Sequence, residues 1–72
     1  MERIPVESSN LVSVGYDPAT QTLEVEFKRG VVWQYPNFPE HMWFEFEAAP
    51  SKGKYFLQQI KPRFGDLGFR VQ

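Results

Sequence analysis

Residues 51–54, SKGK, set a hydroxyl and two ammonium groups around a glycine within one helical turn. At the start of a helix, such a turn presents free backbone N–H groups and a partial positive charge. Gly53 would let an oxygen approach the backbone, and Lys52 and Lys54 would add charge, which together is the chemistry of a phosphate site. The glycine spacing of a nucleotide-hydrolase loop is absent. The competing reading is a Ser51 cap followed by a solvated turn.

A second chemistry comes from VVWQYP, residues 31–36, where Trp33 and Tyr35 stand two positions apart. That spacing places both rings on one face of a strand. Exposed on a sheet, they would stack single-stranded bases, each worth roughly 1–3 kcal/mol. Turned the other way, they are simply core. His41 lies four residues before Glu45, the spacing of half a metal site or an acid–base pair, but it is the only histidine and the chain has no cysteine. Without a nucleophile or further ligands, the pair reads as an ordinary helix-surface contact. Ser8–Asn10, SSN, reads as a turn whose side chains bond the local backbone. The expectation is therefore a non-enzymatic protein with no cofactor, no metal, no disulfide and no thiolate chemistry.

These residues need elements to position them. LVSVGY, residues 11–16, is rich in β-branched and aromatic types and reads as a strand. Asp17 and Pro18 suit the first two positions of a tight turn. TLEVEF, residues 22–27, alternates, with Leu23, Val25 and Phe27 on one side and Glu24 and Glu26 on the other. Lys28, Arg29 and Gly30 then form a hairpin loop, with the left-handed conformation assigned to Gly30. A three-residue loop fixes the register: Phe27 faces Val31, Val25 faces Trp33, and Leu23 faces Tyr35. In that register Trp33 and Tyr35 belong to the core face, with the Tyr35 hydroxyl near the sheet end.

EHMWFEFEAA, from Glu40, predicts a helix that buries Met42 and Phe46, started near Pro39 and stopped by Pro50. A second helix runs from the Ser51 cap through KYFLQQI, burying Phe56 and Ile60, and is expected to end before Pro62. The tail supplies a loop or a short last strand at residues 69–71. The fold class is α+β: a three-stranded antiparallel meander, with a short fourth strand at one edge, covered on one face by two helices. Leu23, Val25, Phe27, Trp33, Met42, Phe46, Phe56 and Ile60 make the expected core.

With 72 residues the chain forms a single domain. Its aromatic share of 17% suits a core this small. No run is apolar enough for a transmembrane helix, and the first ten residues are neither basic nor apolar enough for a signal peptide. The expectation is a soluble cytoplasmic protein with no membrane partner. Net charge is −1, yet residues 1–50 carry −5 and residues 51–72 carry +4. The basic third could meet a phosphate backbone, or the two parts could neutralise each other within the fold.

The order PVESSNLVSVGYD, LEVEF, a glycine, WQY, a proline and SKGKYFLQQIK resembles the KTSC domain over roughly residues 4–64. That family takes its name from the C-terminal domain of some lysyl-tRNA synthetases, and its members also occur as small stand-alone bacterial or phage proteins. Its central Tyr-x-Tyr stands here as Trp33-Gln34-Tyr35, and its Ser-Gly-Tyr-Phe pattern as Ser51, Gly53, Tyr55 and Phe56. The resemblance implies a small domain for which RNA binding has been suggested. Lys52, Gly53, Lys54, Lys61, Arg63 and Tyr35 are the expected contacts to RNA or another single-stranded nucleic acid, with Lys28 and Arg29 at the rim. The other expectation is a protein-interaction or self-association module, partnered by a second copy or another protein.

Overall fold

A computed structural model of the chain describes residues 2–72. Five strands form one antiparallel sheet in sequence order: β1 (Ile4–Pro5), β2 (Leu11–Asp17), β3 (Thr22–Phe27), β4 (Val31–Tyr35) and β5 (Phe69–Arg70). Helix α1 (Glu40–Ala48) and helix α2 (residues 52–64) cover one face. The central meander and the tail strand follow the sequence pattern. The opposite edge strand, β1, is an addition, pairing Ile4 with Val14 and Pro5 with Ser13. Proline at an edge costs no ladder hydrogen bond, so this two-residue strand carries no alternation that a sequence reading could use.

The β3–β4 pairing is the one that a three-residue loop dictates: Phe27 opposite Val31, Val25 opposite Trp33, Leu23 opposite Tyr35. The loop itself differs in one respect. Arg29 is left-handed as well as Gly30, at φ 71° and 73° respectively. A side chain in that region costs about 1–2 kcal/mol, which the register of five cross-strand pairs offsets. β2 holds a second irregularity. Its pairing with β3 shifts between Leu11 and Ser13, leaving Val12 as the extra residue and 36% exposed. The bulge turns Leu11 to the same face as Val14 and Tyr16, which strict alternation would forbid.

The core lies between this face and the helices. Leu11, Val14, Leu23, Val25, Phe38, Met42, Phe46, Phe56 and Ile60 are buried in one cluster. Phe27 and Trp33, expected among them, pack against the cluster but are only partly buried. Phe38 and Leu11, not among the expected core, are fully enclosed. In α1 the Pro39 carbonyl accepts from the Met42 and Trp43 amides, and Ala49 leaves the helix with ψ 134° because Pro50 follows. Among the described residues, no helix is long and apolar enough to cross a membrane.

Helix α2 does not stop before Pro62. It begins with the Ser51 hydroxyl accepting from the Lys54 amide at 3.3 Å, as a cap should. Over Phe56–Ile60 it widens into a π-helical turn in which the Lys61 amide donates to the Phe56 carbonyl, then tightens again over Lys61–Phe64. A proline inside an α-helix has no N–H for the i−4 carbonyl and its ring strikes that carbonyl. One wider turn just upstream relieves the clash, so the helix survives where a break was expected.

Candidate functional site

Along helix α2 and its C-cap, Gly53, Leu57, Lys61 and Gly65 recur every four residues. Residues four apart line one side of a helix, and this side does not close onto the sheet. Between them lies an open groove of about 500 Å³. Phe27, Trp33 and Tyr35 form its sheet side; Phe56, Leu57 and Lys61 form its helix side; Asn10 and Lys28 stand at the hairpin end. A volume of this size is typical of small-ligand clefts.

The aromatic pair divides between the two readings of its spacing. Tyr35 is 4% exposed, while Trp33 is half-buried and opens into the groove. Their rings stack on each other, centroids 6.3 Å apart at 22°. Tyr35 is closed off from the tail side, because Gly68 lies directly against its ring. Burial pushes the Tyr35 phenol up to about 12. Tyr35 therefore supports the groove floor from within the core, whereas Trp33 offers it an aromatic surface. Phe56 meets Phe27 and Tyr35 edge to face at 5.3 and 6.0 Å, which fixes the depth of the floor.

The SKGK turn is built for structure. Lys52 Nζ donates to the Ala49 carbonyl at 2.6 Å, closing the end of α1, so its charge faces another helix terminus. Gly53 is held close to Ser8, and a Cβ there would sit 2.8 Å from the Ser8 hydroxyl oxygen. That same hydroxyl accepts from the Asn10 and Leu11 amides at 3.2 and 3.3 Å, so SSN forms the local turn its composition predicts. Lys54 lines a separate shallow cleft with Tyr55 and Gln58. Arg63 is exposed and acts electrostatically on Tyr55. Tyr55 is pushed up to about 12, first by burial and then by the hydrogen bond it donates to Glu45 at 2.8 Å. Glu45 is thus engaged by Tyr55 across the helix pair, and His41 is exposed.

The expected basic contacts are therefore not one patch. Lys28 and Lys61 both line the groove, Arg29 lies in the hairpin loop, and Lys54 and Arg63 lie on the α1 side of α2. Asn10 and Leu57 were absent from the expected contacts. The four-residue repeat in α2 signals Leu57, but nothing local signals Asn10.

The opposite face of the sheet carries the carboxylates. Arg3 pairs with Glu24 at 2.8 Å and Glu26 at 3.7 Å, Gln34 donates to Glu24 at 2.8 Å, and the Ser13 hydroxyl donates to Glu26 at 2.8 Å. Among the described residues, these are the only salt bridges, and no carboxylate lines the groove. The two groove lysines are consequently without an anionic partner.

Comparison with known proteins follows the same outline. Residues 7–64 match the KTSC domain family. An uncharacterized protein of Stutzerimonas stutzeri is 41% identical over 63 residues, covering 88% of this chain and 89% of its own length. A lysine–tRNA ligase of Nostoc sp. is 41% identical over 58 residues, which span 81% of this chain but 10% of the ligase. The crystal structure of a KTSC domain protein from Yersinia pestis superposes with a TM-score of 0.88 at 39% identity, covering 99% of this chain and 97% of that one. The strands, the two helices and the order of motifs are those of a single known kind of small domain, and the chain belongs to the KTSC domain family.

Proposed function

We propose that this KTSC domain is a non-enzymatic, cytoplasmic module that binds single-stranded RNA, and that it does so at the groove between β4 and α2. One observation carries the reading: an aromatic floor meets two lysines without anionic partners, in a cleft lined by no carboxylate among the described residues. Flat aromatic surface beside backbone-tracking cations is the combination that single-stranded nucleic acids require. Glu24 and Glu26 lie on the far face with Arg3, so these carboxylates do not oppose a polyanion at the groove. The matching segment in lysine–tRNA ligases belongs to proteins whose substrate is an RNA.

The test is fluorescence anisotropy of a labelled single-stranded RNA across a salt series. Two phosphate contacts give a log–log salt slope of about −1.4. The double variant K28E/K61E should weaken binding and flatten the slope towards zero, while K52E should disturb folding more than binding. Equal binding by wild type and K28E/K61E would refute the assignment of the site.

A second reading rests on a different observation. Phe69 and Val71 are 50% and 46% exposed beside β5, an edge strand. Such an edge can add a strand from another protein or a second copy. Light scattering over a concentration series separates this reading, since a dimer that loosens on F69K would support it.

A further inference from the structure

We infer that the groove is a slot for one unpaired nucleobase, stacked on Trp33, with its edge met by Asn10 and its flanking phosphates held by Lys28 and Lys61. This deepens the RNA-binding reading and rests on it. Three independent features point to a base rather than to backbone contact alone.

The first is shape and surface. The groove holds about 500 Å³, and its open aromatic surface comes from the Trp33 indole, whose ring is already held in place by stacking on the buried Tyr35. A ring fixed from behind loses little freedom when a base stacks on its free surface. The second is the disposition of polar groups. Lys28 stands at the hairpin end, where its amide donates to the Asn10 carbonyl at 3.3 Å, and Lys61 stands two turns along α2 from Gly53. Cations at separate points around an apolar slot match a nucleotide with a phosphate on either side. The Asn10 backbone is engaged by Ser8 and Lys28, while its side chain is exposed beside the slot. A side-chain amide carries both donors and an acceptor and suits the edge of a base.

The third feature is the π-helical turn. With the Lys61 amide donating to Phe56 and Pro62 having no N–H, the Leu57 carbonyl has neither an i+4 nor an i+5 donor in the helix. Leu57 lines the groove and is 49% exposed. A widened turn inside an α-helix is rare and recurs at functional sites, and here it lies in the helix that forms the wall opposite the indole.

The experiment uses the full chain carrying W43F, so that Trp33 is the only indole. Trp43 is separate from the groove, stacked on Tyr16. Emission is followed while adding oligouridylate, oligoadenylate, or an abasic ribose–phosphate strand of the same length, about eight nucleotides. The expected result is quenching by both base-bearing strands and binding at least about tenfold tighter than the abasic strand, the effect of one base–aromatic contact. W33Y should keep the preference for bases and W33A should lose it, with circular dichroism confirming that each is folded. N10A should narrow the difference between uridylate and adenylate while leaving the salt slope unchanged. If the abasic strand binds as tightly as the others with Trp33 emission unmoved, RNA binding stands and the base slot is overturned. If no strand binds at low salt, the RNA-binding reading itself fails.

Discussion

Gly68→Ala tests how tightly the tail seals Tyr35. Gly68 does not adopt a positive φ, so its backbone suits alanine. On backbone entropy alone, the substitution should stabilise the fold by about 0.4–1 kcal/mol. The packing says otherwise. A Cβ at residue 68 would lie 2.5 Å from Cδ1 and 3.1 Å from Cζ of the Tyr35 ring, and closer still to Cε1. Real carbon atoms do not approach so far, so either the ring or the tail must move. The ring is wedged between Trp33 and Phe56, and the tail is anchored by the Val71 amide donating to Val32 at 2.8 Å. Overpacking at such a site costs about 1–3 kcal/mol, which outweighs the entropic gain and leaves a net loss of about 1–2 kcal/mol. For a domain of this size, that lowers Tm by about 5–15 °C. Urea and thermal melts measure both quantities. The second half of the test is a double-mutant cycle with Y35L, which removes the ring. Y35L destabilises by itself, but adding G68A to it should be neutral or stabilising. If G68A leaves Tm unchanged or raises it in the Tyr35 background, the tail does not close over the ring as described.

Two further outcomes are expected. Tyr35 and Tyr55 are both pushed up to about 12 by burial, so the unfolded chain, with phenols near 10, releases these protons more readily. Their contribution to stability is fully present below about pH 10 and is lost as pH rises towards 12. Tyrosinate absorbance should therefore appear together with unfolding by circular dichroism, and full tyrosinate absorbance near pH 10 with the fold intact would contradict the burial. Arg3→Ala leaves the Glu24 carboxylate, 9% exposed, with Gln34 as its remaining side-chain donor. The loss should be about 1 kcal/mol, between the values for surface and buried pairs, and should shrink in high salt; an unchanged urea midpoint would rule it out.

Much of this architecture is legible in the residues. The alternation of TLEVEF and a loop ending in Gly30 determine the β3–β4 register to the residue, because a slip by one would turn the glutamates inward. Pro50 and Ser51 mark the junction between the helices through backbone conformation and a single side-chain bond. What escapes is non-local or compensated. β1 is two residues long and carries no period. The bulge at Val12 breaks the alternation within β2, so the strand is recognised from its composition while Leu11 is not assigned to the core. Pro62 signals a stop, yet a turn widened upstream removes the clash that makes proline a stop. The groove escapes for another reason. Its floor and wall are 21 to 34 residues apart in the chain, so the α2 repeat hints at a stripe without saying what it faces. The separation of Trp33 from Tyr35 depends on Gly68, whose proximity no local pattern encodes.

The π-helical turn also sets the phase of everything after it. An α-helix rotates about 100° per residue, and the widened turn holds one residue more than an α-turn would. Deleting a single residue between 57 and 59 would restore an even spiral upstream of Pro62 and leave Lys61 facing the groove, because the widened turn already takes up the extra residue. The spot is therefore a place where the helix can hold or lose one residue while the same later side chains stay on offer to a ligand, with the sheet left as it is.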